Sequence, residues 1–198
     1  MLLDDSKATG TLLLVGGIQF AIFLIIAEAV YPGYSISANY ISDLGVWGRT
    51  SAFFFNSSIV IFGLTVMASS YFINRHFKKR IIAILVALAG TGSLGVGIFP
   101  ENTFLVNNIP VLHSIFALLA FLFGGVGAIS FFWVTKTPFR YVSAILGVVS
   151  LTAFVLFLMT SSSGGLGIGA GGMERMIVYP ELLGLIGFGG YLLSDRTD

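Results

Sequence analysis

The chain has 198 residues, of which 56% are apolar and 10% charged, with a formal net charge of +1 and no cysteine. Soluble domains carry about 25% charged residues, so this chain cannot clothe a globular surface in water, and the bilayer is its expected solvent. The lack of cysteine excludes disulfides, thiolate metal sites and iron–sulfur clusters, and nothing in the charge pattern suits nucleic acid.

Six apolar segments follow in chain order: 11–31, 51–73, 81–100, 110–134, 141–161 and 174–193. Each is roughly 20 residues, enough to cross a hydrocarbon core of about 30 Å as a helix. Lipid offers backbone groups no partners, so all six are expected to be helical. The fold class is therefore all-α, an integral membrane bundle of six transmembrane helices, with residues 1–198 forming a single domain. The first segment follows Asp4 and Asp5, is long for a signal peptide and lacks a small-residue cleavage site, so it reads as a retained anchor.

Between the first two spans, the loop 32–50 carries Ile36, Tyr40, Leu44 and Trp47 at helical spacing, with Ser35 placed to cap them. A short interfacial helix with its apolar face down is expected there. The next two loops on the opposite side are short and basic, Asn-Arg-His-Phe-Lys-Lys-Arg at 74–80 and Thr-Lys-Thr-Pro-Phe-Arg at 135–140. They read as topology determinants that also meet lipid headgroups. The stretch 162–173 has six glycines but no preceding strand and no following Gly-Lys-Ser/Thr, so it reads as a flexible linker rather than a phosphate loop. Pro180 either kinks the sixth span, starting from about 174, or begins it.

Eight of the ten Lys and Arg residues fall on one side of these spans, and only Arg49 and Arg175 fall on the other. This bias predicts that both termini are cytoplasmic and that the protein is a multi-pass protein of the cell membrane. The acidic residues show the reverse distribution. Outside the two tails, all of them (Glu28, Asp43, Glu101, Glu174 and Glu181) lie on the extracytoplasmic side, joined by His113 and Asn56. Glu181 lies seven residues beyond Glu174, so roughly 10 Å deeper along a helix. Gln19 is among the few strongly polar groups in the inner halves of the spans.

Small residues mark the faces on which membrane helices pack. Glu28 shares a face with Ala21 and Gly17, Asn56 with Gly63, Glu101 with Gly97, Ser93 and Gly90, His113 with Ala117, Ala120 and Gly124, and Glu181 with Gly184. Ionisable groups facing lipid are expensive, so these groups are expected to converge on one outward-facing polar cavity. Arg175, set near the start of the sixth span where a helix dipole disfavours a cation, calls for a carboxylate partner. Glu28 and Asp43 are the candidates across the cavity. The expected ligand-binding set is Glu28, Asp43, Asn56, Glu101, His113, Glu174, Arg175 and Glu181.

Several chemistries stay open. Asp43, Glu28 and His113 are the candidate catalytic groups for acid–base work. A Ser-His-Asp set would draw on Ser42 or Ser57 with His113 and Asp43. No cofactor is called for. A divalent metal, if held, would use His113, Asp43 and Glu101. A b-type haem lacks an interior histidine pair, because His76 lies in a basic loop. A carrier would need polar groups that continue to the inner side.

The blocks Tyr31-Pro32-Gly33-Tyr34-Ser35, Ile41-Ser42-Asp43-Leu44-Gly45 and Phe55-Asn56, followed by Gly95-Val96-Gly97-Ile98-Phe99-Pro100, His113 and Gly172-Met173-Glu174-Arg175, span most of the chain. In order and spacing they resemble a family of small prokaryotic, largely archaeal, multi-pass membrane proteins labelled domain of unknown function 998. The resemblance implies six spans and supplies no catalytic residue. Three functions follow as expectations. One is a membrane protein whose polar pocket binds a small polar molecule or lipid headgroup. Another is a lipid-directed hydrolase, with or without a metal. The third is an accessory or assembly subunit with a membrane protein partner. Membrane lipids are expected contacts in all three, and whether the chain is an enzyme stays open.

Overall fold

The computed structural model describes residues 4–160 and 165–194. Six helices are long and apolar enough to cross a membrane: α1 (Asp5–Ala29), α2 (Ala52–Phe77), α3 (Arg80–Ile98), α4 (Val111–Ser130), α5 (Phe139–Thr160) and α6 (Gly169–Ser194). The chain is an all-α, multi-pass membrane protein. The helices pack in chain order, and α6 returns to α1. A second contact, between α4 and α6, closes a ring of five helices, with α5 lying outside it against both. A short hairpin, β1 (Leu105–Val106) and β2 (Ile109–Pro110), joins α3 to α4. Its turn residues Asn107 and Asn108 both have positive φ, as a two-residue hairpin of this hand requires.

Local chemistry sets the ends of the helices. The Asp4 carboxylate accepts a hydrogen bond from the Lys7 amide at 2.7 Å, which starts α1 earlier than hydropathy alone suggests. Lys78 takes a left-handed conformation and turns α2 into α3. At the other extreme of α1, Lys7 Nζ donates to the carbonyls of Leu192 and Leu193 near the end of α6. These contacts, with Arg75 on Asp5 at 3.1 Å, gather both described chain ends and the basic loops at one end of the bundle, the basic end. The long 30–51 connection and the hairpin lie at the other, the acidic end.

Glycine brings the backbones together. A Cβ on Gly63 would lie 2.5 Å from the Leu94 nitrogen, and one on Gly90 would lie 2.8 Å from the Met67 nitrogen, so α2 and α3 touch backbone to backbone. The small-residue faces do point inward: Gly17 meets Ile186, Gly97 meets Ile59, and Gly124 meets Glu181.

Two expectations for the acidic end are corrected. The loop 32–50 does not form the expected surface helix. One turn closes at Asn39 N to Ser35 O (2.8 Å), and a single 3-10 turn spans Ser42–Gly45. The helical ladder stops because the Tyr40 amide donates to the Asp43 carboxylate at 3.0 Å, while the Ile36 carbonyl that it would need accepts from Arg175. The expected stripe is split as a result. Leu44 is fully buried, but Ile36 and Trp47 are 58% and 55% exposed.

The glycine-rich stretch is not wholly a linker either. Residues 161–164 lie outside the described residues, Gly165–Gly167 form a 3-10 turn, and α6 begins at Gly169. The Gly171 amide, one of the orphan donors of a helix start, donates to Ser37 O at 2.9 Å. A Cβ at Gly171 would lie 1.9 Å from the Asn39 oxygen, so only glycine lets the loop sit this close. Pro180 is inside the helix and does not start it.

Candidate functional site

The Arg175 guanidinium is the hub of the acidic end. It projects from α6 and is 5% exposed. Its Nη1 donates to the carbonyls of Ile36, Asn39 and Gly171 at 2.9, 3.2 and 3.0 Å. Its Nη2 donates to Glu28 Oε1 at 2.7 Å and to the Tyr34 hydroxyl. The Tyr34 hydroxyl in turn donates to the Tyr40 carbonyl at 3.0 Å. Arg175 thus fastens the 34–40 turn to the ends of α1 and α6, with Glu28 as its carboxylate partner. Asp43 is not in contact with it. Burial pushes the Tyr34 phenol up to about 12, against the pull of Arg175.

A second group forms beside this clamp. Glu174 precedes Arg175 on the helix and points elsewhere. Its carboxylate accepts from the Ile41 amide and, at 3.4 Å, from the Ser42 hydroxyl. Ser42 Oγ also lies within hydrogen-bond distance of Glu101 Oε1. Glu101 Oε1 in turn is 3.6 Å from His113 Nε2. On the other edge of the ring, His113 Nδ1 lies 3.0 Å from the Phe99 carbonyl. A carbonyl only accepts, so Nδ1 carries a proton, and Nε2 on the other side of the ring faces Glu101.

Two neighbouring spaces share this group. A cavity of about 70 Å³ lies inside the helix ring, with Ser42, Ser93, His113, Glu174 and Glu181 as the polar groups in an apolar wall. A cleft of about 500 Å³ lies between the acidic-end halves of α4 and α5. One side of it is Tyr40, Ser42, Glu101, His113 and Glu174; the other is apolar and aromatic, including Phe121, Phe154 and Phe157. At its lip, Leu118 and Leu158 are 47% and 64% exposed. Burial, and after it the charges of Glu174, Glu101 and Asp43, raises the Tyr40 phenol above its usual value.

The remaining sequence candidates do not border the larger cleft. Glu181 sits deeper on α6, accepts from Ser150 Oγ at 2.6 Å, and occupies the space that a side chain at Gly124 would need. Asp43 turns back on its own loop to accept from Tyr40 N and Asn39 Nδ2, both at 3.0 Å. Asn56 donates to Gly45 O at 2.8 Å, while its buried Oδ1 has no hydrogen-bond partner among the described residues. The eight candidates therefore divide into a clamp (Glu28, Arg175), a polar cleft (Glu101, His113, Glu174), a deep carboxyl (Glu181) and two loop braces (Asp43, Asn56).

The proposed catalytic and metal sets do not assemble as expected. Ser57 Oγ donates to Phe53 O in its own helix, and Ser42 Oγ meets carboxylates rather than His113. A nucleophile relay needs the serine on the imidazole. Asp43 is turned away from His113 and Glu101. Among the described residues, no three His, Asp or Glu side chains are close enough together to hold a metal ion.

Several site residues escaped the sequence reading: Tyr34, Tyr40 as a cleft wall, Ser150, and the α5 aromatics. A signal existed for Ser150, because Ser143, Gly147 and Ser150 make a buried small-residue stripe at helical spacing on an otherwise apolar span. Tyr34 gave no such signal, since its role depends on where α6 places Arg175.

No curated protein and no solved structure matches this chain. Residues 14–190, most of the sequence, match the family described as Protein of unknown function (DUF998), and the chain belongs to that family.

Proposed function

We propose that this protein is a membrane-embedded binding protein whose acidic-end cleft takes a small polar molecule or the headgroup of a lipid. The observation that carries this reading is the composition of the cleft. Polar groups from three separate regions, the buried Ser42, the half-buried Glu101 with buried His113, and the buried Glu174, face an aromatic wall across about 500 Å³. That volume lies within the usual range for small-molecule sites, and a few convergent polar groups in an apolar pocket are their usual chemistry. The exposed leucines at the lip face the lipid side of the bundle, so an amphiphile can enter with its tail still in the bilayer. The Lys/Arg bias supports an extracytoplasmic position for the cleft in a cell membrane. The hydrolase reading has less support, because neither the serine relay nor a three-ligand metal group is assembled among the described residues.

Native mass spectrometry of the gently solubilised protein tests this reading. The parent is expected to carry an added mass, and Glu101→Gln, which replaces a cleft carboxylate without changing its size, is expected to lose it. A bare parent chain, or an adduct equally retained by the variant, would overturn it.

A further inference from the structure

We infer that the species held in this cleft carries an ammonium group, an inference that rests on the binding role just proposed. The ionisable groups bordering the space are Glu101, Glu174, His113 and the Tyr40 phenol, with no Lys or Arg among the lining residues. Glu101 and Glu174 present carboxyl oxygens, and His113, 6% exposed, has its Nδ1 proton committed to the Phe99 carbonyl and its Nε2 turned toward Glu101. The single Ser42 hydroxyl lies between the two glutamates. Arg175 is not among the residues that border the cleft, and its Nη1 and Nη2 are committed to Glu28, Tyr34 and three carbonyls. Among the described residues, no Lys or Arg pairs with Glu101 or Glu174. A phosphate or carboxylate entering this space would meet two glutamates and no Lys or Arg among the lining residues.

Aromatic rings on both sides of the cleft fit a cation as well. Tyr40 and Phe157 stand edge to face with centroids 5.8 Å apart, and Phe121 and Phe154 do the same at 5.9 Å. All four rings border the cleft. Aromatic faces attract ammonium groups, most strongly where water is excluded, and recognition of alkylated amines commonly combines such rings with carboxylates. A carboxylate in a low-dielectric site is costly, and a bound ammonium offsets that cost directly. The same chemistry can come from an aminophospholipid or from a free organic amine.

The test uses the full chain in nanodiscs that contain phosphatidylethanolamine and phosphatidylglycerol with matched acyl chains, read by native mass spectrometry, together with a thermal-shift titration with free ethanolamine. Phosphatidylethanolamine is expected to be retained about tenfold over phosphatidylglycerol, with that preference falling about tenfold in Glu101→Gln and in Tyr40→Leu at unchanged circular dichroism. Should Glu101→Gln fail to fold, Tyr40→Leu, which alters a partly exposed ring, decides alone. Stabilisation by ethanolamine without a lipid preference supports the ammonium assignment and makes a soluble amine its source. Equal or better retention of phosphatidylglycerol, lost in Glu101→Gln, overturns the ammonium assignment and leaves the binding cleft standing. Retention of none of the three probes overturns both.

Discussion

At the basic end of the bundle, Phe188 stacks on Phe131 with centroids 4.0 Å apart and lies near Phe77 and Phe139 at 6.1 and 6.4 Å. The charges there, Lys78, Lys79 and Arg80, are exposed on the surface. At the acidic end, Arg175, Glu174 and His113 are each about 5% exposed, and two hollow spaces adjoin them. One end is finished with packed aromatics and solvated charge, the other with buried charge and empty volume. Packing alone would favour the first solution at both ends, because buried polar groups cost free energy unless every one is matched. The acidic end keeps them, and the clamp around Arg175 shows how: each is held by groups from distant parts of the chain. That contrast supports the binding role proposed for the acidic end.

Substitutions at the two hubs separate these roles most sharply. Phe188→Ala is expected to lose about 3–5 kcal/mol through the cavity it leaves, with the bound species still retained by the folded fraction. Arg175→Met is expected to lose about 3 kcal/mol, because it strands Glu28 without its cation, and also to release the 34–40 turn. Thermal unfolding in detergent gives the stabilities, and limited proteolysis of the loop distinguishes the two. Equal loop protection in both variants would erase the contrast.

Two glycines on α6 give the next effect. A Cβ at Gly171 meets the Asn39 carbonyl, whereas at Gly184 the nearest atom is Ala128 Cβ at 3.7 Å. Gly171→Ala is therefore expected to cost about 1–3 kcal/mol by pushing the loop away. Gly184→Ala should be neutral, or stabilising by up to about 1 kcal/mol through helix propensity. Paired melting curves check this, and a neutral Gly171→Ala would mean that the loop is not seated on α6.

Asp43→Asn probes a carboxylate that braces its own turn. It should cost about 1 kcal/mol through weaker acceptance from Tyr40 and Asn39, with retention of a bound mass unchanged. Loss of that mass in Asp43→Asn, read beside Glu101→Gln, would move the site toward the loop.

The smallest expected effect is a pH dependence. The Tyr34 phenol is raised from 10.0 to about 12 in the folded protein. The unfolded chain therefore ionises first. The contribution of Tyr34 is complete below about pH 10 and is lost as pH rises from there toward 12. Tyr34→Phe should flatten that part of the stability profile, measured by denaturation between pH 9 and pH 12 in steps of about half a unit. An unchanged slope would place Tyr34 outside the clamp.

Sequence by itself determined the six helices, because a charge share of 10% and runs of about 20 apolar residues leave the backbone no alternative in lipid. It also determined which faces turn inward, since glycine stripes mark close approach whatever the neighbour turns out to be. Periodicity failed in the 32–50 loop: the stripe Ile36, Tyr40, Leu44 and Trp47 has helical spacing, yet Arg175, about 140 residues away in the chain, takes the carbonyl that the helix would use. Composition failed at 165–172 for a related reason, because glycine permits a tight helix start as readily as a linker, and only the presence of Ser37 and Asn39 decides between them. The pairing of the charges was likewise a tertiary decision. Glu28, Asp43 and Glu174 look alike in sequence, and the fold gives one to Arg175, one to a local turn and one to the cleft, because which partner lies within hydrogen-bond reach depends on helix packing and not on spacing along the chain.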